Sequence, residues 1–293
     1  MKKKNSTAQR KKVKFDNKYL KDPKIKKIYL TFKKQLYSQI KNEKFCIGVS
    51  GGPDSLALAF LGKIFSKEFN SKFIALIIDH NLRKQSGIEA RKVKKILTKH
   101  KIRAKILTWK GKIPKSNIQF NARNIRYFLL NKECNKLNIK NLVLAHHEGD
   151  LIENFFIRLF RGSGLKGLSS LNIKRHSEDN ILNLIRPLIN TKKNELIYIS
   201  KKVFKFYLTD PSNFKEKFLR TRIRNYLDKF KLDGLDINKV KLTLSNLQSA
   251  NESINFYKEK SIKNHVRYLQ RNACFVSYGL FNYESEEVIF RTI

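Results

Sequence analysis

Short apolar runs alternate with longer segments whose apolar residues recur every three or four positions. Residues 25–40 place Ile28, Leu30, Phe32, Leu36 and Ile40 at helical spacing, so a helix precedes the first strand. The pattern then predicts strands at Phe45–Val49, Phe73–Asp79, 104–109 and 142–145, interleaved with helices at 54–65, 86–100, 119–137 and 150–161. Such interleaving implies right-handed crossovers and a parallel sheet covered on both faces. Ligands of sheets of this kind bind beyond the carboxyl ends of the strands.

After Ser163 the alternation loosens. Residues 181–189 form a mixed apolar run around Arg186-Pro187-Leu188, 194–203 read as a helix, and 204–208 as a short strand. A basic helix over 216–230 carries Arg220, Arg222 and Arg224, and Asp233-Gly234 breaks the chain behind it. The expected organisation is therefore a basic flexible arm over 1–23, an α/β domain over 24–232, and a smaller, mainly helical domain over 233–293. Within the last of these, 237–269 read as one long helix or a pair, followed by a β-prone tail at 273–281 and 288–290.

One turn changes the picture. Ser50-Gly51-Gly52-Pro53-Asp54-Ser55 lies between the first strand and the next helix. Two glycines let the backbone turn sharply and approach an anion, while the helix start supplies free N–H groups and a positive dipole end. A phosphate fits there, and Asp54 beside it suits the magnesium ion that accompanies a nucleotide. The plainer alternative is a tight turn in which Asp54 or Ser55 caps the helix. Gly162-Ser163-Gly164-Leu165-Lys166-Gly167 matches a dinucleotide fingerprint but follows a helix instead of a strand, and Leu168 stands where a Walker lysine is required.

Composition adds a partner. The 63 Lys and Arg against 24 Asp and Glu give a formal net charge of +39, which points to a polyanion, nucleic acid first. The chain is also rich in Lys, Asn and Ile together, so part of the lysine excess reads as solvated surface. Cys46, Cys134 and Cys274 are too few and too scattered for a disulfide framework or a metal pair, which fits a reducing cytoplasm. No signal peptide or membrane-length apolar stretch is present in the sequence, and no membrane association is expected.

Three polar clusters fall at or beside strand ends. Asp79-His80-Asn81-Leu82-Arg83 closes the second strand; Asp79 there reads either as a ligand contact or as a helix cap. His146-His147 are followed by Asp150 and Glu153, whose i, i+3 spacing puts two carboxylates on one helical face, suited to magnesium or an ammonium group. Adjacent histidines point apart and lack zinc-protease spacing. Arg123 and Arg126, also i, i+3, present two guanidiniums suited to phosphates or a carboxylate, with Arg161 beside the later glycines.

Ser50–Ser55 resembles the signature of the PP-loop ATP pyrophosphatases, whose fold is a parallel-sheet, adenine nucleotide alpha hydrolase-like domain. Together with Asp79-His80, Ala122-Arg123 to Tyr127, Ala145-His146-His147, Arg161-Gly162-Ser163-Gly164-Leu165, Arg186-Pro187-Leu188, Asp210-Pro211-Ser212-Asn213, Arg220 and Arg224, it follows the order seen in tRNA(Ile)-lysidine synthases. The chain departs from that family at Gly149, where an acidic residue is usual, and at Asn154, where threonine is usual.

The resemblance implies ATP-dependent adenylation of C2 of the wobble cytidine of a tRNA(Ile) with a CAU anticodon, then attack by the ε-amine of free lysine. ATP would lie on Ser50, Gly51, Gly52, Pro53, Asp54 and Ser55, with Mg2+ near Asp54 and Asp150. Asp54, Asp150 and Arg126 would serve catalysis, and Asp150, Glu153, Arg123, Arg126, Arg161, Arg220 and Arg224 substrate binding. The small C-terminal domain and basic arm would hold the tRNA in the shorter architecture of that family; a homodimer is left open. A tRNA 2-thiolation enzyme and a non-catalytic basic RNA-binding protein are the alternatives, the first disfavoured by the lack of paired cysteines.

Overall fold

The computed structural model describes residues 18–81, 85–112, 116, 118–176, 182–209, 219–270 and 273–293. They form two compact units: the chain to Asp150 with Asn172–Asn213, and Leu151–Leu171 with Phe214–Ile293.

In the first unit a six-stranded sheet runs in the order β3 (Ala104–Thr108), β2 (Phe73–Asp79), β1 (Phe45–Val49), β4 (Asn141–Val143), β6 (Asn183–Ile185) and β5 (Lys174–His176). The first five are parallel, as the alternation predicts, and β5 adds an antiparallel edge. Alternation along the central strands divides the apolar residues between two cores. Phe45, Ile47, Val49, Ala75 and Ile77 face the larger core, filled by α1 (Pro23–Ile40), α2 (Pro53–Glu68), α3 (Ser86–Lys99) and α7 (Lys193–Phe204). Cys46, Ile74 and Leu76 face the other, which receives Leu130 and Cys134 of α4 (Ile118–Lys136). Fully buried side chains such as Phe45, Phe65 and Leu61 each contribute about 1.5–3 kcal/mol of transfer free energy.

In the second unit, α5 (Glu148–Leu159) contributes its residues from Leu151 onward, followed by α6 (Leu165–Leu168), α8 (Leu219–Leu232) and α9 (Ile237–His265). Ile152, Phe155, Ile223, Leu227, Val240 and Leu244 make its core. A hairpin of β7 (Val266–Gln270) and β8 (Ala273–Val276) and the short helices α10 (Gly279–Tyr283) and α11 (Glu286–Thr292) complete it. Asp233-Gly234 lies within this unit as the turn between α8 and α9, with Gly234 at φ +95°.

Two expected strands are corrected. Residues 204–208 are not a strand: Phe204 ends α7, Lys205 takes the left-handed conformation at φ 53°, and Leu208 N–H makes a single bond to Gly51 O at 2.9 Å. The β-prone tail at 288–290 is helix α11, because Glu286 and Glu287 sit in its first turn, Arg291 in its last, and Arg291 pairs with Glu287 one turn back. Residues 279–281, the end of the other β-prone stretch, likewise lie in helix α10.

The N-terminal helix is fastened by one carboxylate. Asp22 Oδ1 accepts from Lys24 N–H at 2.9 Å and Ile25 N–H at 3.1 Å, capping α1, while Oδ2 accepts from Tyr198 O–H at 2.6 Å and from the Lys202 ammonium on α7. The Lys202 ammonium and Tyr198 hydroxyl hold this carboxyl well below the usual carboxylate range. A depressed folded-state pKa contributes stability that is present above 3.8 and lost as the pH falls below it. Asp22→Ala is therefore expected to lower Tm at pH 7, with the gap from wild type narrowing in acid; thermal melts across that range check it, and a constant gap would contradict it.

Candidate active site

The turn after β1 is built around its own backbone. Gly51 stands at φ +89°, and a Cβ there would come within 2.5 Å of Val93 Cγ2 and 2.8 Å of Leu208 Cδ1, so only glycine fits. Pro53 opens α2 at the position where its missing N–H costs nothing. Ser55 is 5% exposed, and its Oγ accepts from Ser50 N–H and Gly51 N–H at 3.2 Å each and donates to Gly52 O at 3.0 Å. The side chain of Ser55, one of the residues expected to line the ATP loop, is thus the internal tie of the turn. Ser50, the half-exposed Gly52 and the first-turn N–H groups of α2 form the surface left for an anion.

Beside the turn, one imidazole stands between two carboxylates. His147 Nε2 lies 3.7 Å from Asp54 Oδ2 and 3.6 Å from Asp150 Oδ2. Asp150 Oδ2 also accepts from His147 N–H at 3.0 Å, and Gly149 N–H donates to His147 Nδ1 at 3.0 Å. Because Nδ1 accepts, the neutral ring carries its proton on Nε2, facing both carboxylates. Glu148 N–H, bonded to Thr191 O at 3.1 Å, anchors the segment. Gly149, the departure noted in the sequence, has a local cause: a Cβ there would meet His147 Cε1 at 2.9 Å and Nδ1 at 3.2 Å. The structure thus gives His147 a place between two carboxylates that the sequence reading did not assign to it. The juxtaposition with Asp54 crosses 93 positions of sequence, and no local spacing signals it.

Among the described residues no three His, Cys, Asp or Glu side chains converge as a metal-binding group. Asp54 and Asp150 nevertheless fit magnesium brought by a nucleotide, since that ion takes one or two protein carboxylates and completes its shell with phosphate and water.

At the end of β2, Asp79 Oδ1 accepts from Asn81 N–H at 3.0 Å and Ser86 Oγ–H at 2.7 Å, tying the strand to the start of α3. His80 Nδ1 is buried with no hydrogen-bond partner among the described residues. Burial first and the Arg126 guanidinium second push the His80 pKa down to about 4, against the opposing pull of Asp79. Arg123 and Arg126 are exposed and precede buried Leu130 by seven and four residues, on the helical face that packs against the sheet further along. Arg123 also stands 5.0 Å from the ring centre of Tyr127. Leu82-Arg83 lie outside the described residues. Because His80 is held neutral, its contribution to stability is present above 6.5 and lost as the pH falls toward 4. His80→Gln should flatten the decline of stability in that window, measured by denaturant titration at several pH values; an unchanged slope would contradict the burial argument.

In the second unit Glu153 is 4% exposed and already occupied. Its carboxylate accepts from Arg220 Nε at 2.6 Å, from Arg224 Nε at 2.5 Å and from Arg224 Nη2 at 3.2 Å. The sequence reading assigned Glu153 to an incoming ammonium; the structure corrects this, because the carboxylate is buried between two guanidiniums from α8. Arg161 is exposed at the end of α5, followed by Gly162 at φ +64°. Arg186 is buried, its Nη1 bonded to Asn172 O at 2.9 Å, which makes it internal to the first unit. Of the flexible arm expected over 1–23, residues 1–17 lie outside the described residues, as does Asp210-Pro211-Ser212-Asn213, whereas Lys18–Lys21 form a 3-10 helix whose Tyr19 and Leu20 pack on the larger core, and Asp22 and Pro23 begin α1. Glu153→Gln, which removes the charge balancing both guanidiniums, should destabilise the protein by about 1–3 kcal/mol, below the cost of a fully buried pair because both arginines reach solvent. Chemical denaturation checks this, and an effect near zero would make the pair a surface contact.

A glycine turn feeding a helix at the carboxyl edge of a parallel sheet defines a nucleotide-binding class of α/β fold. A family model described as a PP-loop domain matches residues 25–230, and the chain belongs to that family. It is 43% identical over 188 residues to a tRNA(Ile)-lysidine synthase of Orientia tsutsugamushi, covering 64% of this chain and 42% of that protein. It is 34% identical over 268 residues to one of Rickettsia felis, covering 89% of this chain and 60% of that protein. The aligned region thus spans less than two thirds of either relative. A U34-tRNA thiolase from Methanococcus maripaludis, solved with its 4Fe–4S cluster, superposes with a TM-score of 0.64 at 19% identity over 79% of this chain and 78% of that one, a likeness of fold alone.

Proposed function

We propose that this chain is a tRNA(Ile)-lysidine synthase, forming lysidine at the wobble cytidine of a tRNA(Ile) with a CAU anticodon. The observation that carries the reading is the 34% identity to a protein of that name across 89% of this chain. The geometry of the first unit supports it, because the proposed chemistry needs an anion cradle with carboxylates beside it. Cys46 and Cys134 are buried against each other, and this contact together with burial raises the pKa of Cys46, so the pair is poorly suited to sulfur transfer, while Cys274 is exposed in the second unit.

In the first step O2 of the cytosine attacks the α-phosphorus of ATP, the bond to the bridging oxygen breaks, and pyrophosphate leaves. The turn at Ser50–Ser55 and the α2 dipole hold the departing phosphates. Magnesium, held by Asp54 and Asp150, would neutralise charge on the phosphates. In the second step the neutral ε-amine of lysine attacks C2, the C2–O bond breaks, and AMP departs. Asp150 is the carboxylate for the lysine ammonium before it gives up its proton, since Glu153 is engaged by Arg220 and Arg224. His147, with its Nε2 proton directed to Asp54 and Asp150, keeps the two carboxylates oriented. Arg126 and Arg123 meet the substrate carboxylate or RNA phosphates. The target base is reachable because an anticodon loop presents unpaired nucleotides that can be turned out of the stack. The high net charge favours the tRNA backbone, and a reducing cytoplasm fits the free thiols.

The test is incubation with unmodified tRNA(Ile) transcript, ATP and labelled lysine. Label should enter the anticodon nucleotide with release of AMP and pyrophosphate, and Asp54→Ala should reduce AMP formation by on the order of 100-fold or more while leaving the melting curve intact. ATP cleavage without incorporation of lysine would sink the lysidine assignment.

A further inference from the structure

Near its start, helix α4 displays an aromatic ring, Phe120, that the fold leaves outside its cores, whereas Tyr127 on the same line packs against the second core. Phe120 is 64% exposed and belongs to none of the three apolar clusters. Phe120, Arg123 and Tyr127 are spaced i, i+3, i+7 and so lie along one line of the helix, with the Arg123 guanidinium 5.0 Å from the Tyr127 ring centre. Phe128, also exposed, differs: it meets Trp109 edge-on at 6.0 Å. The strip occupies the first half of the helix that follows β3, on the side of the molecule where a parallel sheet takes its ligands.

We propose that Phe120, with the Arg123 guanidinium beside it held over the core-packed Tyr127 ring, forms a stacking platform for an unpaired base of single-stranded RNA. A base offers a flat face to Phe120, and its phosphates offer negative charge to Arg123 and Arg126. The charge of the helix is complementary to that occupant: from Ile118 to Leu130 it carries two arginines and no acidic residue. A bare apolar protein contact would not need guanidiniums interleaved with the rings, and duplex RNA hides the base faces that Phe120 would meet. The platform rests on the reading of the chain as an enzyme acting on an unpaired RNA base, and adds to it the surface that receives a nucleotide of the loop.

The experiment uses the full chain, a hairpin RNA whose unpaired loop carries 2-aminopurine, and a blunt duplex RNA as control. The wild type should bind the hairpin more tightly than the duplex and alter the 2-aminopurine fluorescence. Phe120→Ala should weaken hairpin binding by roughly 5- to 150-fold, the range of one lost base–aromatic stack, without changing the salt slope or duplex binding. Phe120→Trp should restore affinity. Arg123→Ala should instead lower the slope of log K against log salt by about 0.7, one phosphate's worth on a single strand. Equal hairpin affinity in Phe120→Ala and wild type would overturn the platform while leaving the RNA reading in place. Failure of the wild type to bind either RNA would overturn both, and a Phe120→Ala phenotype confined to self-association would assign the strip to a protein contact instead.

Discussion

Where β1 meets α2, the backbone must pass through a left-handed conformation with no side chain at Gly51, because Val93 and Leu208 already fill the space a Cβ would take. An L-residue there would carry the left-handed penalty of about 1–2 kcal/mol in addition to the overlap with two core side chains. From this the rest of the site follows. Ser55 can reach back to tie the N–H groups of Ser50 and Gly51, and Pro53 and Asp54 start a helix whose free N–H groups face the carboxyl edge of the sheet. Ser200 adds an anchor from α7, donating to Pro53 O at 2.6 Å. The turn, flexible-looking in sequence, is packed and hydrogen-bonded on its inner side.

Charge is distributed with the same economy of carboxylates. In a chain of net charge +39, Asp54 and Asp150 of the first unit lie beside His147, and Glu153 of the second unit is held by Arg220 and Arg224. The first two flank an imidazole whose proton position is set by a backbone N–H, an arrangement that orients them without neutralising them with a fixed cation. Glu153 instead fixes two guanidiniums on α8 while both keep surface for an anion.

Local pattern carried the sheet and the turn, because both depend on neighbours in sequence. Phe45–Val49 and Phe73–Asp79 have the bounds expected of buried strands, and Ser50-Gly51-Gly52 reads directly as a turn. Long-range pairing was not legible. Glu153 meets Arg220 and Arg224 across 67 and 71 positions, and the i, i+3 spacing of Asp150 and Glu153 suggested a shared ligand where the fold gives each a separate partner. Ser55 illustrates the same limit at short range, since its motif position does not reveal that the hydroxyl turns inward. In the tail, Val288, Ile289 and Phe290 favour a strand by residue type, yet the flanking Ser285, Glu286, Glu287 and Arg291 supply helix ends.

The central claim, that the Ser50–Ser55 turn with Asp54 and Asp150 activates a wobble cytidine before lysine enters, is tested most directly by exchange of labelled pyrophosphate into ATP. Without lysine, exchange should require a tRNA(Ile) transcript carrying cytidine at the wobble position and should vanish when that nucleotide is uridine. Exchange that proceeds without RNA, or equally well with uridine, would contradict the account.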